Sequence, residues 1–221
     1  MQSKQVCQDY SKIVHWNDLC TSLYLPLATL FLYHSNYVLL LGNAISIYNI
    51  LILAFLEVLK FVIFARSQKT VHRTIKDLTK SVLAVILFVC AMYVVTVLFG
   101  ASVFSKIEET FMFTLLVATF TALPICLHFG AETAVTMFLS ITSFDGSEIQ
   151  NLFMLKLRLT LFGAWLGAIA IPLDWNRPWQ TWPIPCCVGT ILGYTVANWV
   201  SSFLQYSRRH KLSKKTGKYT L

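Results

Sequence analysis

The chain has 221 residues, of which 56% are hydrophobic and only 13% are charged, and its mean hydropathy is +0.63. Soluble domains are typically about a quarter charged, so this composition excludes an ordinary soluble protein and indicates one integral membrane domain. The net charge of +8 does not indicate a nucleic-acid partner. The bases lie almost entirely between or after apolar runs, where they act as topology signals.

Six apolar runs are long enough to cross a membrane, since a helical span needs about 20 residues. We predict an all-α, polytopic membrane protein, because open strands would leave backbone groups unpaired in lipid. The predicted spans cover about residues 13–33, 37–64, 81–99, 107–129, 152–171 and 183–206, and a basic tail covers residues 207–221. The first span contains the polar residues Asn17 and Asp18 and also Pro26. Residues 131–141 are predicted as a short helix at the membrane interface.

The distribution of lysine and arginine predicts the orientation of the spans. With six spans both termini lie on one side, and that side holds 15 of the 18 bases, including Lys156 and Arg158. The opposite side holds only Lys106 and Arg177, and Lys60 remains within the second span. Because cytoplasmic loops carry an excess of bases, we predict that both termini are cytoplasmic.

The polar residues do not form a recognisable catalytic motif. The five histidines are scattered without a His-x-x-x-His pair, and no Gly-x-Ser-x-Gly nucleophile motif occurs. We therefore predict no catalytic residue, no metal and no cofactor. Glu57 and Lys60 lie three residues apart, so they share one face of the second span. The favoured interpretation is a self-neutralising pair with Lys60 extending outward, and the alternative is an intramembrane polar site.

Two Gly-x-x-x-Gly motifs indicate close helix packing. Gly163 and Gly167 lie in the fifth span, and Gly189 and Gly193 lie in the sixth. Small residues four apart allow two helix backbones to approach closely. The two spans are therefore expected to pack either on each other or on the helices of a partner.

The hairpin between the last two spans, residues 172–185, is unusually rich in tryptophan and proline. One interpretation is a rigid turn anchored by tryptophans at the membrane interface. The other is a docking site for a partner or a lipid headgroup. The candidate docking residues are Asp174, Trp175, Arg177, Trp179 and Trp182, with Glu109 as a predicted ion-pair partner of Arg177.

Several stretches carry a resemblance to a known family. They are Gly-Ala-Trp-Leu-Gly-Ala at 163–168, Ile-Pro-Leu-Asp-Trp-Asn-Arg-Pro-Trp-Gln-Thr-Trp-Pro-Ile at 171–184, and Gly-x-x-x-Gly-Tyr at 189–194. Phe-Gly-Ala-Ser at 99–102, Glu-Thr-Phe at 109–111 and Thr-Ala-Leu-Pro at 121–124 agree with them. Between about Phe99 and Tyr194 the chain resembles the phosphatidylinositol-glycan biosynthesis class F (PIG-F) family. Ser102 departs from the Gly-Ala-Pro that the family usually has there.

The resemblance implies a multi-pass protein of the endoplasmic reticulum that takes part in glycosylphosphatidylinositol (GPI) anchor assembly. Family members associate with large ethanolamine-phosphate transferases, whose catalytic zinc domain is lumenal, and act as their noncatalytic stabilising subunit. The implied partners are these large catalytic subunits and a membrane lipid, the GPI precursor being one candidate. The alternative is an enzyme or carrier that acts directly on phosphatidylethanolamine or the GPI precursor. A small transporter is disfavoured, because inverted repeats are not evident.

Overall fold

The computed structural model describes residues 14–27, 46–66, 75–102, 104–173 and 177–217. These residues contain eight α-helices and no strand, so the all-helical prediction is confirmed for the described part of the chain. Residues 28–33 and 37–45, which belong to the first two predicted spans, lie outside it. The helices are α1 (14–27), α2 (Ser46–Arg66), α3 (Ile75–Leu98), α4 (Ile107–Phe120), α5 (Ala122–Phe129), α6 (Ala131–Leu139), α7 (Glu148–Ile169) and α8 (Ile184–Gly217).

Four stretches of the described chain are long and apolar enough to cross a membrane. They are α3, α4 together with α5, α7, and α8 as far as Arg208. Of 18 consecutive residues in the apolar α4–α5 stretch 78% are buried, against 28% of 18 such residues in α3. Helix α4 contacts α2, α3, α7 and α8, so it forms the centre of the bundle and the other helices surround it.

The predicted fourth span is divided into α4 and α5 at Thr121. Pro124, in the first turn of α5, has no N–H to donate to the carbonyl of the preceding turn. Thr121 adopts φ −118° and ψ −69°, and both its backbone N–H and its hydroxyl donate to the Val117 carbonyl, at 3.0 and 2.6 Å. Both bonds go to the Val117 carbonyl, whereas the carbonyl that the proline leaves without its usual helical donor is that of Phe120. The regular helix is therefore interrupted between Phe120 and Ala122.

Helix α6, which falls within the predicted short helix at residues 131–141, packs along α3. Lys80 pairs with Glu132 at 3.0 Å, and the rings of Phe88 and Phe138 lie 4.6 Å apart. From the first contact to the second, the residue number increases in both helices, so α6 is parallel to α3. The reversal after α5 occurs at Gly130, whose φ of 84° favours glycine.

The N-terminal helices pack against the C-terminal one. Asp18 of α1 accepts a hydrogen bond from Gln205, and one turn further on the Ser22 carbonyl accepts one from Trp199. Helix α1 is therefore antiparallel to α8, and the first residues of α1 lie beside the part of α8 around Gln205. Helix α2 runs antiparallel to α1, because Glu57 contacts Tyr24 and Lys60 contacts Thr21.

Candidate functional site at the α7–α8 pair

Helices α7 and α8 form an antiparallel pair that is packed through its glycines. A Cβ atom at Gly163 would lie 2.8 Å from the Gly193 Cα, and one at Gly167 would lie 2.9 Å from the Cys186 Cα. A Cβ at Gly193 would meet the Leu159 carbonyl oxygen at 2.5 Å. The obstructing atoms belong to backbone, so rotation of a side chain cannot relieve the contact. The two Gly-x-x-x-Gly motifs thus pack on each other within this chain.

The start of α7 is fixed by a capping box. The Ser147 side chain accepts from the Gln150 N–H at 3.4 Å, and the Gln150 side chain accepts from the Ser147 N–H at 2.8 Å. This exchange satisfies two donors that a helix N-terminus otherwise leaves unpaired. Helix α7 therefore begins at Glu148, four residues before the predicted span, and Lys156 and Arg158 lie within the helix.

An apolar groove of about 790 Å³ follows the seam between α7 and α8. It extends from Leu159 and Val196 to Ala170 and Trp179, which is about 17 Å at 1.5 Å per helical residue. All four glycines contribute to its lining. The glycines allow the two helices to approach closely, and because they have no side chains they also leave a depression along the pair. We refer to it below as the α7–α8 groove.

The hairpin after α7 is held closed by Gln180, which the sequence pattern did not single out. Its amide nitrogen donates to the Ala170 carbonyl at 2.8 Å and also to the Leu173 carbonyl, and its oxygen accepts from the Arg177 N–H at 3.3 Å. The Ala170 carbonyl is at the C-terminal end of α7, where the helix itself offers no donor. One amide side chain, carrying both donors and an acceptor, therefore joins both arms of the turn.

The predicted docking residues do not form one cluster in the described structure. The Arg177 side chain is exposed, and Trp179, 42% exposed, lies at the hairpin end of the α7–α8 groove. Glu109 is half-buried on α4, and no ion pair joins it to Arg177 among the described residues. Asp174 and Trp175 lie outside the described residues.

Trp182 contributes to the interior instead of a docking surface. Its indole N–H donates to the Thr110 hydroxyl at 3.1 Å, and its ring meets Phe113 edge to face at 5.5 Å. Both partners are on α4 and are buried. Trp182 therefore attaches the hairpin to the central helix.

Replacing Trp182 with phenylalanine is expected to lower stability by about 0.5–1.5 kcal/mol, because the ring contact remains while the hydrogen bond is lost. The thermal denaturation midpoint of the detergent-solubilised protein measures this change. Thr110→Val should have a similar effect, and the double variant should be scarcely worse than either single one. Additive losses would show that the indole N–H and the hydroxyl do not act together.

A buried polar network lies next to the α7–α8 helix pair, and it corrects two predictions about lysine residues. Lys60 was expected to extend outward, but it is 9% exposed and donates to Glu57 at 2.7 Å and to Thr21 at 2.6 Å. Lys156 was assigned to the cytoplasmic surface, but it is 4% exposed and pairs with Asp18. The polar network consists of two hydrogen-bonded clusters. The first contains Asp18, Lys156, Ser201 and Gln205. The second contains Thr21, Tyr24, Glu57, Lys60 and Tyr194.

One pattern in the sequence indicates this network. The polar residues of the last span recur at the three- and four-residue spacing of a single helix face, which marks a face directed at protein. They are Tyr194, Asn198, Ser201, Ser202 and Gln205, all buried.

Comparisons with known proteins place the chain in a family. The sequence profile of the GPI biosynthesis protein family Pig-F matches residues 14–202. The "GPI ethanolamine phosphate transferase, stabilizing subunit" of Mus musculus is 36% identical over 126 residues, which cover 56% of this chain and 57% of the mouse protein. The protein of that name from Homo sapiens is 36% identical over 127 residues, 57% of each chain.

Fungal relatives agree with this assignment. The "Glycosylphosphatidylinositol anchor biosynthesis protein 11" of Yarrowia lipolytica is 34% identical over 111 residues, which cover 50% of this chain and 48% of that protein. The chain thus spans about half the length of the curated relatives it matches. No solved structure matches it. Since the family profile extends from α1 to α8, the chain belongs to the GPI biosynthesis protein family Pig-F.

Proposed function

We propose that this chain is a noncatalytic stabilising subunit of GPI ethanolamine-phosphate transferases, located in the membrane of the endoplasmic reticulum. The observation that carries the proposal is the likeness to two mammalian proteins whose names describe such a subunit. The likeness is 36% identity over more than half of this chain. Four of the described helical stretches are long and apolar enough to cross a membrane, which agrees with a subunit that is embedded in one.

The α7–α8 groove is the proposed docking surface for a transmembrane helix of the transferase. It is apolar, it lies on a helix pair, and its floor is formed by glycines, which permit close approach of a further helix. Trp179 lines its hairpin end, and the exposed Arg177 lies two residues before Trp179 in the chain. A lipid acyl chain is the second candidate occupant, because the lining is almost entirely apolar.

Affinity purification in mild detergent tests both parts of the proposal. Leu192 lines the groove and is 59% exposed, so Leu192→Trp fills the groove without disturbing the core. We expect this change to lower the copurifying transferase by about fivefold or more, as for loss of a central interface contact. Leu83→Trp, at a 56% exposed position on α3, is the matched control and should leave copurification unchanged.

The possible outcomes test the proposed function and the proposed docking surface separately. If no transferase copurifies with the unaltered chain, and transferase levels persist in cells that lack the chain, the proposed function is wrong. If the transferase copurifies equally with both tryptophan variants, the groove is not the docking surface. Ethanolamine-phosphate transfer by the purified chain alone in liposomes would contradict a noncatalytic role.

We also propose six spans with both termini in the cytoplasm. The division of bases supports an even number of spans, and the antiparallel contact of α1 with α8 supports termini on one side. Glycosylation acceptor sites inserted after residue 3, within the 99–106 loop and at the C-terminus provide the test. Only the site in the loop should be modified, and modification at either terminus would contradict the proposal.

A further inference from the structure

Two ion pairs are buried inside the bundle, and one of them connects helices that are far apart in the sequence. Asp18 of α1 pairs with Lys156 of α7, and their side chains are 0% and 5% exposed. Glu57 and Lys60 of α2 form the second pair and are almost equally buried. Each pair contains one acid and one base, so the network is electrically balanced. Charged side chains in a membrane interior are costly and are found where they pair within protein.

Asp18 is the point at which three helices meet. One carboxylate oxygen accepts from the Lys156 ammonium. The other accepts from the Ser201 hydroxyl at 2.6 Å and from the Gln205 amide at 3.1 Å. The donors come from α7 and α8, so a single side chain of α1 is bonded to both helices of the glycine-packed pair.

The second ion pair extends the same contact surface towards α2. The Glu57 carboxylate accepts from the Tyr24 hydroxyl at 2.8 Å and from the Tyr194 hydroxyl at 3.4 Å. Tyr194 also stacks on Phe120 of the central helix, with ring centroids 4.6 Å apart. Tyr194 lies ten residues after Ile184, the first residue of α8. The contact with Glu57 is therefore about 15 Å along the helix from its N-terminus.

Apolar contacts alone leave the depth and rotation of a membrane helix loosely specified, because lipid offers similar contacts everywhere on its surface. A buried polar contact has only one satisfactory arrangement, and polar residues in helix interfaces are best known for fixing register. A shift of α1 by one residue along α8 would move Asp18 away from all three of its donors.

We propose that the Asp18–Lys156 ion pair positions α1 in a single register on the α7–α8 pair. Lys156 is thus a positioning residue for the N-terminal helices. This role is separate from the binding of any partner. The inference depends only on contacts within the chain, so it stands or falls independently of the proposed transferase.

Site-specific photocrosslinking in the full-length protein in membranes tests this inference. Trp199 is 57% exposed and its indole reaches the Ser22 carbonyl at 3.4 Å, so a benzoylphenylalanine at position 199 should form an adduct with α1 around Ser22. Mass spectrometry quantifies that internal adduct. Lys156→Met should reduce it by about fivefold or more, because an unpaired Asp18 must leave its site.

Restoring the ion pair should restore the adduct. The exchanged variant Asp18→Lys/Lys156→Asp keeps one acid and one base at these two sites, so it should recover the adduct to within about twofold of the original level. The uncharged variant Asp18→Asn/Lys156→Met should not recover it, because no ion pair remains to fix the register of α1. Lys156→Arg should retain the adduct. Lys80→Met, which removes an exposed ion pair with Glu132, is the control and should have no effect.

Three results would overturn the inference. An undiminished adduct in Lys156→Met would show that the ion pair does not position α1. Full recovery of the adduct in Asp18→Asn/Lys156→Met would show the same, because that variant has no ion pair. Equal loss of the adduct, or of the protein itself, in Lys156→Met and in the exchanged variant would show that these sites tolerate no change and that charge pairing is not the determinant.

Discussion

An alanine at Gly163 is expected to destabilise the protein by about 1–3 kcal/mol, the usual cost of overpacking a tight core. The added methyl group would lie against the Gly189 carbonyl oxygen and 2.8 Å from the Gly193 Cα, so the two helices must separate. Intrinsic helix propensity acts in the opposite direction, because alanine is favoured over glycine by about 1 kcal/mol in a helix. A net loss therefore isolates the effect of the close helix contact.

The denaturation midpoint of the detergent-solubilised protein measures this effect. Gly189→Ala should behave like Gly163→Ala, since its Cβ would meet the Gly163 carbonyl group. Leu192→Ala is the matched control, because it places an alanine on the same helix at a position that is 59% exposed. If either glycine variant were as stable as this control, the close packing of α7 on α8 would be refuted.

Lys60→Met is expected to have the larger effect, about 3–5 kcal/mol, because removing one member of a buried ion pair leaves the other charge uncompensated. Glu57, only 2% exposed, would then keep just the hydroxyls of Tyr24 and Tyr194 as donors among the described residues. Glu57→Gln combined with Lys60→Met should recover most of the loss. Glutamine removes the charge and still accepts from Tyr24.

Lys80→Met provides the comparison for this prediction. It also removes one lysine from an ion pair, but the side chains of Lys80 and Glu132 are 58% and 86% exposed. Exposed pairs contribute about 0–1 kcal/mol. Equal effects of the two lysine substitutions would mean that burial of Glu57 and Lys60 does not determine their energetics.

The helical architecture follows from local sequence features, and so does a close helix contact at α7 and α8, but the sequence left open whether these helices pack on each other or on a partner. Apolar length predicts spanning helices, and the spacing of Gly163 and Gly167 against Gly189 and Gly193 indicates a close approach. The contact of Trp182 could not be predicted from the sequence, because tryptophans in a hairpin are equally compatible with lipid, a partner or the protein interior. Only the position of Thr110 in the structure decides between these environments.

The polar network was not predictable from charge counting. A lysine in or near an apolar run is assigned to the cytoplasm by its charge alone, yet Lys156 points into the protein because Asp18 lies opposite it. These two residues are 138 positions apart, and no local pattern relates them. The buried polar face of α8 is visible in the sequence, but the residues that it faces are not.

The separation of Asp18 from Lys156 also has a consequence for biosynthesis. The ribosome adds about 5–20 residues per second, so the 138 residues between them take roughly 7–28 s to synthesise at that rate. Glu57 and Lys60 emerge together and can neutralise each other at once, whereas Asp18 has no lysine partner until α7 has been made. During that interval α1 depends on the translocation machinery or on water at the membrane surface to accommodate its carboxylate, and the N-terminal helices reach their final place only after the C-terminal pair has arrived.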